Sequence, residues 1–216
     1  MIGDRRRDVA TVALVVTLVL SRDGWAGPPT DQLRAQIDRV VKVIEDPELK
    51  KETKYKERRL VVRKIAEEIF DFTETAKRSL GRHWPPRTPA ERREFVDLFA
   101  DLLERSYFSK IELYNGEKIM YLGDTVDGDY ATVRTKLLTK QGSEIPVEYK
   151  MVRQGDRFIV YDVVIEGVSL IANYRTQFNK IIQTSSYQEL VRKMKAKQAE
   201  FSDEQKRTSI TGSRRG

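Results

Sequence analysis

The hydrophobic period of this chain changes abruptly between Arg157 and Arg175. Phe158, Ile159, Val160, Tyr161, Val163, Val164 and Ile165 form a run of β-branched and aromatic residues interrupted by Asp162. A run this dense in apolar side chains predicts a strand covered on both faces. Gly167, after Glu166, frees the backbone to turn. Beyond it Leu170, Ile171, Tyr174, Phe178, Ile181 and Ile182 recur at the spacing of an amphipathic helix. A strand that feeds through a tight corner into such a helix leaves the helix one place to go, back onto the sheet.

The sheet itself is announced upstream. From about Tyr121 apolar residues alternate with polar ones: Ala131, Val133 and Leu137 with Thr132, Arg134 and Lys136, then Ile145, Val147, Tyr149 and Met151 with Pro146, Glu148, Lys150 and Val152. Asp127-Gly128-Asp129, Gln141-Gly142-Ser143 and Gln154-Gly155-Asp156 separate these runs as turns, which predicts an antiparallel meander. Pro146 belongs near an edge or a strand start.

The first half reads as helices. One begins near Thr30 or Asp31, carries Leu33, Ile37, Val40, Val41 and Ile44, and ends by Pro47. After the charge-dense Lys50–Arg59, a second carries Leu60, Val61, Ile65 and Ile69, and the chain continues through Phe70-Asp71-Phe72 to a C-cap at Gly81. Thr88-Pro89-Ala90-Glu91 is a capping box with proline at the first helical position, opening a helix striped with Phe95, Leu98, Phe99, Leu102, Leu103 and Tyr107. Ser186-Tyr187-Gln188-Glu189 opens a last helix, and beyond about Ala199 the polar, basic tail is expected to be disordered.

Residues 1–26 have the layout of a secretory signal: basic Arg5–Arg7, an uncharged run of 12 residues from Val9 to Leu20, and small Gly24 and Ala26 before a cleavage point. The run is shorter than the roughly 20 residues of a spanning helix; an uncleaved N-terminal anchor is the alternative. The domain then covers residues 27–198, followed by the tail 199–216, and lies outside the cytoplasm. There are no cysteines, which removes disulfides and thiolate chemistry, so an exported chain of this kind is held by its core alone. Net charge is +7, and +6 without residues 1–26. Because the lysines and arginines are interspersed with acids, no nucleic-acid partner is expected.

Catalytic constellations are scarce. His83, the one histidine, sits beside Trp84 and two prolines and reads as a packed loop residue. Asp162 and Glu166, four apart, would share a face of one strand, either as an acid–base pair or as caps and partners of neighbouring groups. Asp124, Asp127 and Asp129 lack the spacing and the glutamate of a calcium loop and read as turn residues; no metal site is expected.

Tyr161-Asp162-Val163-Val164-Ile165-Glu166-Gly167-Val168-Ser169-Leu170, with Asn173-Tyr174-Arg175 and Phe178, resembles the signature of the MlaC family. This is the toluene-tolerance auxiliary family of periplasmic lipid carriers, hopanoid-associated members included. Phe70-Asp71-Phe72 through Leu80-Gly81-Arg82 and Trp84, and Thr88–Arg92 with Phe95, Phe99 and Tyr107, resemble its middle segments. The resemblance implies an α+β fold, helices wrapped around a twisted antiparallel sheet of NTF2-like shape with a deep apolar cavity. It implies a periplasmic monomer without enzymatic activity or cofactor, whose cargo is phospholipid. Its partners would be an outer-membrane lipoprotein complex and an inner-membrane MCE-domain ABC transporter, and its role would be the upkeep of outer-membrane lipid asymmetry. From helix stripes and strand alternation, the residues expected to line such a cavity are Phe70, Phe95, Phe99, Leu102, Tyr107, Val133, Tyr149, Val160 and Val163. The alternatives are a hopanoid carrier, an NTF2-like enzyme using Asp162 or Glu166, and a cargo-free transporter adaptor with a filled core.

Overall fold

The computed structural model describes residues 28–213, with side chains as far as residue 200. The expected signal segment at residues 1–26 lies outside the described residues. The order of elements is α1 (Pro28–Glu45), α2 (Tyr55–Ile69), α3 (Phe72–Leu80), α4 (Pro89–Glu112), β1 (Lys118–Asp127), β2 (Tyr130–Leu138), β3 (Glu144–Gln154), β4 (Arg157–Ile165), β5 (Val168–Ser169), α5 (Leu170–Thr184) and α6 (Tyr187–Ser213). The strands form one antiparallel sheet in sequence order, β1-β2-β3-β4-β5, joined by the three glycine turns and a fourth at Glu166-Gly167. Pro146, third in β3, costs the ladder little there.

Local signals start the helices where their chemistry dictates. Thr88 Oγ1 accepts from the Glu91 amide while the Glu91 carboxylate accepts from the Thr88 amide, closing the capping box of α4. Asp71 caps α3 by accepting from the Glu74 amide, which splits the expected second helix in two at Phe70-Asp71. Ser169 caps α5 and Ser186 caps α6 in the same way. Gly81 closes α3 with φ +55, a left-handed conformation that suits glycine. The backbone of α6 runs from Tyr187 to Ser213.

Two strand bulges redirect side chains. In β1, Tyr121 pairs with Thr135 and Gly123 with Arg134, so Leu122 is extra. That shift brings Asp124 onto the face of Tyr121, toward α1, where its Oδ2 accepts from the Thr30 amide at 3.0 Å and the Thr30 hydroxyl at 2.6 Å. Asp124 is therefore not a turn residue: it is the anion at the start of α1. In β4, Lys150 pairs with Asp162 and Met151 with Val160, so Tyr161 is extra. Val160 and Val163, three apart, consequently share one face of the sheet.

That face, with Ala131, Val133, Met151, Phe158 and Val160, packs on Leu33 of α1 and on Ile65 and Ile69 of α2. A second core is built almost wholly from helices. Phe95, Leu98 and Phe99 of α4 meet Ala76 and Leu80 of α3, Ile171 and Phe178 of α5, and Tyr187, Leu190 and Met194 of α6. Between these two cores runs a seam where α2 faces α4, closed at one end by a third, small cluster of Ile44, Val62 and Phe108.

Candidate functional site

Along the seam the packing is incomplete. Ion pairs join α2 to α4 across it: Arg58 to Glu112, and Arg59 and Arg63 together to Glu104. Beneath these pairs lies a cavity of about 250 Å³. Its walls are Val62, Arg63 and Ala66 of α2; Phe70 and Phe72; Ala100, Leu103, Glu104, Tyr107, Phe108 and Ile111 of α4; Val163 and Ile165 of β4; and Leu170. Among the described residues, Arg63 and Glu104 are its only ionised groups. A void this apolar is a poor host for water, which needs two to four polar partners, and a good one for hydrocarbon. Its size lies just under the roughly 300 Å³ at which small-molecule pockets begin, so a bulky guest requires the walls to part.

The structure places Phe70, Tyr107 and Val163 on this wall. It places the other expected residues elsewhere. Phe95 and Phe99 are fully buried in the helical core, stacked on each other at 5.9 Å and edge-on to Phe178 at 5.6 and 5.3 Å, and Leu102 packs beside them. Val133 and Val160 are fully buried in the sheet-side core, with Tyr149 against them. The reason is that α4 is apolar on two sides. Phe95, Leu98, Phe99 and Leu102 face α5 and α6; Ala100, Leu103, Tyr107 and Ile111 form a second stripe facing α2. The first stripe is the more aromatic and draws the eye. The signal for the second was present, since apolar residues on both sides of one helix require two separate partners.

Tyr107 adds a partly buried phenol to the wall. Burial, reinforced by the neighbouring Tyr174, pushes its phenol up to about 12, so it stays neutral. The carboxylates singled out in sequence do not form a pair. Asp162 is buried on the face opposite Val163, where it accepts from the Ser169 hydroxyl at 2.6 Å and the Ile171 amide at 3.1 Å, tying β4 to the first turn of α5. Glu166 is exposed in the β4–β5 turn at φ +50, off the strand altogether. His83 shares Asn179 with Arg82 on the surface. No group of three or more acidic, histidine or cysteine residues is placed to hold a metal among the described residues, and no helix among them is long and apolar enough to cross a membrane.

A family model described as MlaC protein matches residues 34–196. Among solved structures, the chain is similar to a phospholipid-binding protein from Ralstonia solanacearum, solved in complex with a phospholipid. The TM-score is 0.70 at 22% identity, over 82% of this chain and 99% of that one. At this identity the likeness shows the fold: helices around an open antiparallel sheet, as the sequence predicts.

Proposed function

Since the chain belongs to the MlaC family, we propose that it is a lipid carrier whose cavity between α2, α4 and β4 takes up the acyl chains of a phospholipid. The observation that carries this reading is the apolar void of about 250 Å³ whose charged residues lie at one corner. The phospholipid held by the similar Ralstonia protein supports the choice of cargo. A filled core would have favoured a cargo-free adaptor, and the use of Asp162 as a structural tie speaks for transport over catalysis.

The energetics suit a shuttle. Each buried methylene is worth about 0.8 kcal/mol relative to water, so two acyl chains gain on the order of 20 kcal/mol on leaving it. Against a bilayer, equally apolar, they gain almost nothing. The protein thus loads and unloads without setting direction, which falls to its partners. We place it in the periplasm, released from a signal segment after Ala26. There it would carry lipid between an outer-membrane lipoprotein complex and an inner-membrane MCE-type ABC transporter, in support of outer-membrane asymmetry. Organic extraction of the purified protein followed by mass spectrometry tests the cargo. The expected result is diacyl phospholipid near one per protein; a hopanoid in its place redirects the reading, and no amphiphile at all ends it. Fractionation with N-terminal sequencing tests the location, the expected first residue being Gly27.

A further inference from the structure

We propose that Arg63 receives the phosphate of the bound lipid, exchanging Glu104 for it at the mouth of the cavity. This rests on the carrier reading above and adds to it the residue that reads the head group.

Three observations converge on Arg63. An amphiphile whose tails fill the cavity must leave its polar end where the wall becomes polar, and Arg63 and Glu104 are the wall's ionised residues. Of the two, Glu104 is nearly enclosed, its side chain 12% exposed, whereas Arg63 is 39% exposed and spans the boundary between cavity and water.

The second observation is how the charges are shared. Glu104 accepts through one oxygen from Arg59 Nε and through the other from Arg63 Nη1 at 2.6 Å. If Arg63 turns away, Glu104 keeps Arg59, whose side chain is itself only 16% exposed. No enclosed carboxylate is stranded, so the exchange avoids the penalty that normally locks a buried ion pair.

Third, the other partner of Arg63 holds it weakly. Glu67, one turn along α2, lies 3.1 Å away with half its side chain in water, a pair of the kind that contributes little. A phosphodiester offers the guanidinium two oxygens in a matching fork, which neither glutamate contact provides. Because the Arg63–Glu104 contact also joins α2 to α4, a phosphate that takes Arg63 removes one of the bridges over the void while the tails enter it.

The test separates head group from tails. Protein stripped of lipid in detergent is offered an equimolar mixture of dioleoylglycerol and dioleoyl phosphatidylglycerol, and the retained ratio is read by mass spectrometry. The tails are identical; the phosphodiester head is not. Wild type is expected to favour the phospholipid roughly tenfold to a hundredfold, the range of a hydrogen bond to a charged group. Arg63→Gln should bring the ratio near one at unchanged total lipid. Arg63→Lys, a point charge without the fork, should fall between. Arg39→Gln, which breaks the surface pair with Glu68, should behave as wild type. A preference that survives in Arg63→Gln overturns the assignment, as does a wild type that takes both lipids equally while still loading. A wild type that takes neither overturns the carrier reading itself.

Discussion

Filling the void from its wall gives the sharpest test of whether the seam is empty. Ala100 of α4 and Ala66 of α2 both line the cavity, and Ala100→Leu adds three carbons that point into it. At about 0.8 kcal/mol per buried carbon the gross gain is about 2.4 kcal/mol. Ordering the leucine side chain costs about 0.5–1 kcal/mol. The lipid-free protein should therefore be more stable by about 1.5 kcal/mol, a rise in Tm of about 3–6 °C for a chain of this size. The opposite sign is expected if side chains already fill the space, because inserting methylenes into a packed core costs about 1–3 kcal/mol. The assay is urea and thermal unfolding of delipidated wild type and variant, since bound lipid stabilises the native state by mass action and would mask the difference. Lipid content of the undelipidated proteins is measured in parallel. A fall in Tm refutes the void. A rise in Tm with lipid content unchanged leaves the void standing but removes it as the binding site.

Two further outcomes follow from the backbone and the tyrosines. Glu166 sits at φ +50 in a two-residue turn, where an L side chain is strained, so Glu166→Asn should stabilise the protein by about 0.5–1 kcal/mol in urea unfolding; no gain would mean the turn is not formed as described. Burial pushes Tyr107, Tyr149 and Tyr187 up to about 12. Between the ordinary phenol value near 10 and that value the native state holds protons the unfolded chain has lost, so the stabilisation present below pH 10 declines as pH rises toward 12. Stability measured from pH 9 to 12 should fall progressively, and Tyr107→Phe should shallow the slope; an unchanged slope would place Tyr107 in water.

The sequence made the meander, the capping boxes and the strand-to-helix corner readable because each rests on chemistry within a few residues. Thr88 and Glu91 need no knowledge of the rest of the fold to cap a helix. What stayed hidden depends on distant partners. Nothing near Asp124 says that it will hold the start of α1, ninety-four residues away. The bulges at Leu122 and Tyr161 leave the alternation of β1 and β4 superficially regular while changing which face each half serves. The cavity wall is hard to read for a related reason: the Phe95–Phe99 stripe is the strongest apolar signal in α4, and it marks a tightly packed core. An unfilled space is bordered by smaller or partly polar residues, such as Ala66, Ala100 and Arg63, which periodicity ranks low.

The doubled position in β4 has one more implication. Tyr161 is surplus to the ladder, and its ring lies 4.0 Å beneath the Arg78 guanidinium of α3 while Asp162 beside it ties down α5. The strand is one residue longer than its partner requires, and that slack lets two successive side chains hold two different helices. Excising Tyr161 would leave the neighbours of β4 in step and cost the strand its ring contact with Arg78 of α3.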